Sequence, residues 1–373
     1  MRAGHDVRFV LDDGYDAWLS LAADLAAAQT AIAIQLYMWT PDAVGDALLA
    51  HLVAARQRGV EVQLMLDAFG SMGLPETVLA DLAAAGVETK WFGAFDLKWK
   101  RFGVLSSLKR WRKRNHRKVF MIDRQVAWIS GRNIGAHYYA LAPGDATWAD
   151  ASARVTGPLV AELAAILDHE WTGKSGRGRR RPSEEVPASG VLCALALHFG
   201  TRRHADVERR YLRAIEVAQN SIRLAQSYFV PTRLVLEGLQ RAARAGRSVQ
   251  VLIPDLACSD VPVVTYATLH VVGRLLQARV QVRALPGRML HVKMGVVDDA
   301  WWTLGSTNLD PLSKLRNREA NVAGLGSEQA LELSAYFDRL WAAAIELDPT
   351  TWRDRPWWQR WLGAMAWRLR GLL

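Results

Sequence analysis

The chain is poor in cysteine and has no long apolar run. Only Cys193 and Cys258 occur among its 373 residues, in unrelated contexts. Two lone cysteines make neither a disulfide framework nor a metal site, which favours a reducing compartment. No segment offers the roughly 18 unbroken apolar residues of a spanning helix, and the first ten residues lack the apolar core of a signal peptide. We therefore expect contact with a membrane only at its surface.

Tryptophan and positive charge, in contrast, are abundant. The chain carries 16 Trp residues and a formal net charge of +10. The charge predicts attraction to polyanions, either nucleic acid or the anionic face of a membrane. Trp is enriched at bilayer interfaces, and five Trp residues fall within the last 22 positions. No nucleic-acid-binding module is recognisable, so the composition favours a membrane surface and no nucleic-acid partner.

The two halves of the chain repeat each other. Residues 35–67 and residues 226–255 both read as an apolar strand, an amphipathic helix and a second strand that ends in Asp67 or Asp255. Strands alternating with helices predict an α/β layered domain, present twice. A stretch rich in Gly, Pro, Ser and Arg, residues 173–190, separates the halves and favours a linker. We predict domains at 1–180 and 190–350, followed by a basic, Trp-rich amphipathic helix at 351–373.

A short pattern, His-x-Lys-x4-Asp, occurs at equivalent places in the two repeats. Its residues are His116, Lys118 and Asp123 in the first repeat and His291, Lys293 and Asp298 in the second. The same offsets after each histidine lead to Gly131 and Asn133 and to Ser306 and Asn308. One match would be weak, and a polar strand end would explain it. The duplicated set favours catalysis.

The spacing predicts a β-hairpin around each pattern. Apolar runs flank Asp123-Arg124 and Asp298-Asp299, which read as two-residue turns. Such turns place His116 opposite Gly131 and, in the second repeat, His291 opposite Ser306. Alternation puts His and Lys on one strand face, with the Asn at the same end. The motif Asp lies at the far tip, where a structural role is expected.

This set of residue types suits phosphodiester chemistry. Such a reaction needs a nucleophile, an acid for the leaving alcohol, and cations or donors for the non-bridging oxygens. Two hairpin ends that converge on one phosphate supply all of these without a metal. A histidine nucleophile also needs a partner on its second ring nitrogen. Asp150 and Glu319 follow the two hairpins and are the candidate partners, with Asp310 as a rival.

These residues resemble the phospholipase D superfamily and, within it, bacterial cardiolipin synthases of the short type without an N-terminal membrane anchor. The likeness covers nearly the whole chain, including RNHRKVFMIDRQVAWISGRNIG, LHVKMGVVD and GSTNLDP. It implies two α/β/α domains related by a pseudo-twofold axis, each with a central mixed sheet, and an active site at their interface. One departure follows the first Asn, where relatives often carry an acidic residue and this chain has Gly135-Ala136-His137.

The resemblance also implies a two-step reaction with no cofactor. Phosphatidylglycerol would lose glycerol to form a phosphatidyl-histidine, and a second phosphatidylglycerol would accept the phosphatidyl group. His116 would be the nucleophile and His291 the acid and then the base, although the pseudo-symmetry leaves either order open. Hydrolysis to phosphatidic acid, nuclease activity of the same site, and a vestigial site on a membrane-binding protein are the alternatives.

Two basic, aromatic segments are candidates for a docking surface on the cytoplasmic side of the cell membrane. Residues 97–114 carry eight basic residues and no acidic one, with Trp99, Arg101 and Trp111 as candidate contacts. In the C-terminal tail the candidates are Trp357, Trp358 and Trp361. Interfacial insertion is expected of such segments. A solvated basic loop and packing on the second domain are the respective alternatives.

Overall fold

The strands of the two repeats form two separate mixed sheets. A computed structural model describes residues 5–94, 113–173, 191–199, 206–259 and 261–369. The first sheet contains β1 (Asp6–Leu11), β2 (Ala31–Leu36), β3 (Glu61–Asp67), β4 (Glu88–Phe92), β5 (Val119–Ile122), β6 (Val126–Ser130) and β7 (Ala151–Thr156). The second contains β8 (Leu192–Phe199), β9 (Ser221–Gln226), β10 (Ser248–Pro254), β11 (Gln281–Leu285), β12 (Lys293–Val297), β13 (Trp301–Gly305), β14 (Arg318–Leu325) and β15 (Ile345–Glu346).

The two sheets have the same strand order. The first runs β1-β7-β6-β5-β2-β3-β4, and the second runs β8-β14-β13-β12-β9-β10-β11 with β15 added at its edge. In each sheet the three strands that alternate with helices are parallel to one another. The first strand of the motif hairpin, β5 or β12, pairs antiparallel with the first of these three, β2 or β9. The predicted fold, two α/β domains with mixed sheets, is therefore confirmed. The predicted linker lies almost wholly at residues 174–190, outside the described residues, so the domain boundaries stay a prediction.

Helices flank the sheets. They are α1 (Gly14–Ala27), α2 (Ala43–Gln57), α3 (Glu76–Ala84), α4 (Pro158–Thr172), α5 (Asp206–Val217), α6 (Arg233–Arg244), α7 (Pro262–Leu276), α8 (Pro311–Leu315), α9 (Ser327–Ala342), α10 (Pro349–Arg353) and α11 (Trp357–Leu369). Side-chain caps begin several of them, as where Asp13 accepts from the backbone of Tyr15 and Asp16, and Asp42 from Val44 and Gly45. Within the described residues, none of the helices has the length and apolarity needed to cross a membrane.

One hydrophobic core joins the two repeats. It includes Val119 and Met121 of β5, Met294 of β12 and Leu304 of β13, all buried, with Leu333 of α9 beside them. Because a single apolar core spans both sheets, separating the repeats would expose this surface to water. The hairpins of the two repeats are thereby held in a fixed mutual position.

The registers of both motif hairpins differ by one residue from the prediction. The turns lie at Asp123-Arg124 and Asp298-Asp299, as predicted, and all four of these residues have positive φ. The N–H of Gln125 closes the first turn and the N–H of Ala300 closes the second. However, Ile122 pairs with Val126, so one extra residue enters the second strand. The second hairpin is built in the same way, with Val297 paired to Trp301.

This extra residue corrects the predicted pairing of the catalytic candidates. The pair Val119↔Ile129 is one residue out of step with the register that would put His116 opposite Gly131. The pair Met294↔Leu304 differs in the same way from the register that would put His291 opposite Ser306. A bulge of this kind leaves no trace in an apolar/polar pattern, because the residues that pair across it, Ile122 with Val126 and Val297 with Trp301, are apolar on both strands.

Candidate active site

Each histidine is bonded at its backbone to the other repeat. His116 donates its N–H to the carbonyl of Arg318, and His291 donates its N–H to the carbonyl of Ala149, at 2.9 and 2.8 Å. The residues that follow these two acceptors are Glu319 and Asp150. The backbone pairing between repeats therefore brings each candidate carboxylate beside the histidine of the opposite repeat.

The side chains are paired in the same crossed manner. Nδ1 of His116 lies 3.0 Å from both carboxylate oxygens of Glu319. Nδ1 of His291 lies 2.7 Å from Oδ2 of Asp150. Both carboxylates are fully buried, whereas the His116 side chain is 13% exposed and that of His291 only 5%. An ionised carboxylate only accepts hydrogen bonds, so Nδ1 carries the proton and Nε2 is left with a lone pair in a neutral ring.

The surroundings hold both imidazoles in the neutral form. Burial lowers the pKa of His116, against the opposing effect of Glu319. Burial, together with the charge of Lys293, lowers the pKa of His291 to about 3. Burial by itself would raise the pKa of both carboxyls, but the facing histidines and lysines outweigh it and lower the pKa of Asp150 and of Glu319.

The motif lysines lie beneath the histidines. Lys118 Nζ donates to the carbonyl of His116 at 2.9 Å, and Lys293 Nζ lies 2.9 Å from Nδ1 and 3.0 Å from Nε2 of His291. Both side chains are buried. Burial holds the pKa of Lys118 well below its usual range, with the positive charge of Lys293 lowering it further. The two ammonium groups thus concentrate positive charge behind the imidazoles, where an anion gains most from it.

The two asparagines reach the same cleft as the histidines. This cleft, of about 600 Å³, is lined by residues of both repeats, including His116, Asn133, His291 and Asn308. The Asn133 amide donates to the Tyr138 hydroxyl at 3.0 Å and accepts from the N–H of Met38. Oδ1 of Asn308 is buried and has no hydrogen-bond partner among the described residues. This oxygen is therefore available to accept a hydrogen bond from a ligand hydroxyl in the cleft.

Gly131 and Ser306 lie behind the carboxylates. A Cβ on Gly131 would lie 2.6 Å from Oδ1 of Asp150, so no side chain fits there. The Ser306 hydroxyl donates to Glu319 at 2.6 Å. The two repeats thus hold their carboxylates differently at equivalent positions, by close backbone approach in one and by a hydroxyl in the other.

Asp123 and Asp298 lie at the hairpin tips, away from the cleft. Asp123 accepts from the backbone of Gln29, Thr30 and Ala31, and Asp298 from that of Gln219, Asn220 and Ser221. Burial acts to raise the pKa of each carboxyl, but the backbone donors outweigh it and lower the pKa. Each motif Asp therefore ties its hairpin tip to the start of the neighbouring strand, a placement that fits a structural role.

Asp310, the rival partner, contacts neither imidazole by any hydrogen bond found in the described residues. Its carboxylate caps α8, accepting from the N–H of Ser313 at 2.7 Å, and it lines the cleft beside Asn308. Burial raises the pKa of Asp310 to about 7, and the charge of Glu319 adds to this effect.

Aromatic residues surround the histidines, and the sequence motif gave no indication of them. The rings of Tyr138 and Trp148 lie 5.0 and 5.5 Å from the His291 ring, and His137 stacks on Trp148 at 5.1 Å. His137 thus forms part of this aromatic wall. On the other side, the ring of Tyr37 meets His116 edge-on at 5.0 Å. Tyr37 and Tyr228 both line the cleft.

The motif strand also carries a buried arginine with no part in the pattern. Arg117 is fully buried, and it bonds Glu170 of α4 at 2.5 Å and the carbonyls of Glu319 and His198 in the second repeat. It therefore ties the two repeats together directly behind the site. A charged residue on the face opposite to His116 and Lys118 was the only sign of it in the sequence.

The predicted docking residues are described only in part. Trp99, Arg101 and Trp111 lie outside the described residues, as does nearly all of the basic segment. At the start of α11, the side chains of Trp357, Trp358 and Trp361 are 72%, 43% and 56% exposed. The end of α11 packs on α7, where Trp367 is buried and stacks on His270. One helix therefore both packs on the second domain and presents three indoles to solvent.

Comparison with known proteins gives a consistent result. A family model described as cardiolipin synthase, PLD-like domain, matches residues 21–171 and 211–341. Cardiolipin synthase B of Escherichia coli (strain K12) is 31% identical over 96% of this chain and 86% of its own length. Probable cardiolipin synthase YwiE of Bacillus subtilis (strain 168) is 27% identical over 93% of this chain and 68% of its own.

A solved structure shares the fold. The crystal structure of phosphatidylserine synthase from Haemophilus influenzae Rd KW20 superimposes with a TM-score of 0.74, covering 98% of this chain and 95% of that one. The identity is 14%, so the likeness concerns the fold alone.

Proposed function

Because this chain belongs to the family of cardiolipin synthases with a PLD-like domain, we propose that it is a phosphatidyltransferase that makes cardiolipin from two molecules of phosphatidylglycerol. The observation that carries the proposal is the crossed pair of imidazoles. Each has Nδ1 against a buried carboxylate of the opposite repeat, and both line one cleft.

In the first step, Nε2 of His116 attacks the phosphorus of phosphatidylglycerol. A P–N bond forms, the P–O bond to the head-group glycerol breaks, and His291 gives a proton to the departing oxygen. The greater exposure of His116 supports its role as the nucleophile. A bound phosphodiester anion raises the pKa of the adjacent His291, which is how that ring gains the proton that it donates.

In the second step, the glycerol hydroxyl of another phosphatidylglycerol attacks the phosphatidyl-histidine. His291 takes the hydroxyl proton, a new P–O bond forms, and the P–N bond to His116 breaks. Lys118 and Lys293 offset the charge that develops on the non-bridging oxygens, and the amides of Asn133 and Asn308 orient them. The products are cardiolipin and glycerol.

Mass spectrometry of the lipid products tests this function. The protein is incubated with phosphatidylglycerol vesicles beside a His116→Ala control. We expect cardiolipin and free glycerol, both absent with the control. Phosphatidic acid without cardiolipin would assign the site to hydrolysis, and turnover that persists in His116→Ala would place the nucleophile elsewhere.

We also propose that the protein acts as a peripheral protein on the cytoplasmic side of the membrane, with α11 against the bilayer. The three exposed indoles at the start of the helix support this, since Trp favours the bilayer interface. Trp361→Ala is expected to weaken sedimentation with phosphatidylglycerol vesicles. Leu331→Ala, which removes a comparably exposed apolar side chain from α9, is the matched control.

A further inference from the structure

A second cavity lies outside the catalytic cleft, where α7 meets α10 and α11. It measures about 380 Å³. Four arginines line it, from all three helices and the segment between the last two: Arg274, Arg353, Arg355 and Arg360. In the part of the chain that the structure describes, no carboxylate lines this cavity. It is therefore a partly open concentration of positive charge.

Two hydrogen-bond donors at this cavity lack acceptors. Nε1 of Trp352 and Nη1 of Arg355 are buried and bond to nothing within the described residues. The Arg355 guanidinium lies over the Trp352 ring at 3.7 Å, and its Nε donates to the Trp352 carbonyl at 3.0 Å, so both groups are fixed in position. Buried donors without partners cost free energy that an anionic, acceptor-rich ligand would recover.

The acidic residues of the same segment do not neutralise the cluster. The Asp348 carboxylate caps α10, accepting from the N–H groups of Thr350 and Thr351. Asp354 is exposed and does not line the cavity. Burial, and next the charge of Arg360, lower the pKa of Arg355 to about 10, as expected where like charges are close together without a counter-ion.

The position of the cavity indicates which anion it takes. Arg360 and Gln359 line the cavity, while Trp357, Trp358 and Trp361 of the same turns of α11 are exposed to solvent. A helix that lies at a bilayer surface with its indoles inserted brings adjacent arginines to the level of the lipid phosphates. We infer that this cavity binds the phosphate of an anionic phospholipid head group, as a docking site separate from the catalytic cleft. The inference rests on the proposed docking of α11 and not on the histidine chemistry.

Vesicle binding tests the site. The His116→Ala protein is titrated with vesicles of phosphatidylglycerol and phosphatidylcholine, so that turnover does not alter the lipid. Arg360→Gln and Arg353→Gln are each expected to weaken binding roughly fivefold, the size associated with one basic residue near an anionic surface. Arg368→Gln, an equal charge change on an exposed part of α11 outside the cavity, is the matched control and is expected to change binding less than twofold.

Trp352→Phe sharpens the test, because it removes a donor without changing net charge. We expect binding to phosphatidylglycerol vesicles to weaken several-fold and binding to pure phosphatidylcholine to stay the same. Equal losses in Arg360→Gln and Arg368→Gln, or unchanged binding in Trp352→Phe, would mean diffuse charge attraction and overturn the site. A third outcome would also overturn the docking site: soluble glycerol phosphate binds at the cavity, but none of these variants changes vesicle binding. The cavity would then be a site for a free phosphate ligand.

Turnover separates this inference from the proposed function. Arg360→Gln in the otherwise unchanged protein is expected to retain its rate on short-chain phosphatidylglycerol dispersed in detergent. Cavity-dependent vesicle binding without lipid turnover would leave the docking site standing and remove the transferase proposal. Cardiolipin formation by a protein whose vesicle binding is unchanged by the cavity variants would support the transferase proposal and remove the docking site.

Discussion

The carboxylate of Glu319, in the second repeat, lies 3.0 Å from Nδ1 of His116, in the first. Asp150 approaches His291 in the opposite direction. The active site is therefore not two complete halves placed side by side. The carboxylate that orients each histidine comes from the other repeat, so neither repeat forms a complete half-site alone.

The crossing predicts which variant damages which step. Glu319→Gln should prevent the correct tautomer of His116 and slow formation of the phosphatidyl-enzyme by roughly 10⁴-fold, the size known for an orienting carboxylate in an unrelated hydrolytic triad. Asp150→Asn should instead impair proton transfer by His291. The burst of p-nitrophenol from phosphatidyl-p-nitrophenol measures the first step alone, because this leaving group needs no proton.

Asp150→Asn is expected to keep that burst while losing cardiolipin synthesis from phosphatidylglycerol. His116→Ala, the control, should show no burst at all. A burst retained in Glu319→Gln and lost in Asp150→Asn would reverse the assignment of nucleophile and acid.

The supports behind the carboxylates predict an asymmetry between repeats. Gly131→Ala introduces a Cβ where the Asp150 carboxylate is now 2.6 Å away, so Asp150 must shift. We expect at least about 10²-fold slower cardiolipin synthesis, since a displacement near 1 Å has effects of that size. Ser306→Ala removes one hydrogen bond to Glu319 and should cost about tenfold. Initial rates in mixed micelles measure both, and near-equal losses would contradict the asymmetry.

Much of this site could be predicted from the sequence because it is encoded in duplicated local patterns. His116, Lys118 and Asn133 recur at matching offsets as His291, Lys293 and Asn308, and those offsets alone indicated a shared phosphate site. The strand order of the two sheets follows from the same repetition.

What could not be predicted depends on contacts between distant residues. The pairing of His116 with Glu319 joins positions 203 residues apart, and it is set by the hydrogen bond from His116 N–H to the Arg318 carbonyl. The bulges after Asp123-Arg124 and Asp298-Asp299 changed the register without altering the apolar pattern. The aromatic wall of Tyr138 and Trp148 lies in an irregular segment, where no periodicity indicates which way a ring points.

The hairpin-tip aspartates offer a test of the structural role assigned to them. Asp123→Asn weakens a carboxylate that accepts from three successive backbone N–H groups, so we expect the free energy of unfolding to fall by about 1–3 kcal/mol. The rate per folded molecule should stay unchanged, because the tip is remote from the cleft. Urea unfolding and active-site titration measure the two quantities, and a lost rate in a fully folded Asp123→Asn protein would contradict the assignment.

Two buried groups predict opposing effects of pH on stability. The pKa of His291 is lowered to about 3 from its ordinary 6.5, so the unfolded chain binds more protons between these values and stability is lost as the pH falls through that window. The pKa of Asp310 is raised to about 7 from 3.8, so the folded chain binds more protons there and stability is gained as the pH falls from about 7 to 4. Each slope is at most about 1.4 kcal/mol per pH unit.

Single variants separate the two contributions. Asp310→Asn removes the stabilisation that Asp310 gains on protonation. As the pH is lowered from 7 to 5, the free energy of unfolding of this variant should therefore fall more steeply than that of the unaltered protein. His291→Gln removes the destabilisation that arises when the unfolded chain binds a proton at this histidine. Its free energy of unfolding should therefore fall less steeply as the pH is lowered, although His116, whose pKa is also lowered, keeps part of the pH dependence. Urea unfolding at pH 7, 6 and 5 measures the three slopes. Parallel curves would mean that neither group titrates differently in the folded and unfolded chains, and therefore that His291 is not held neutral by its burial.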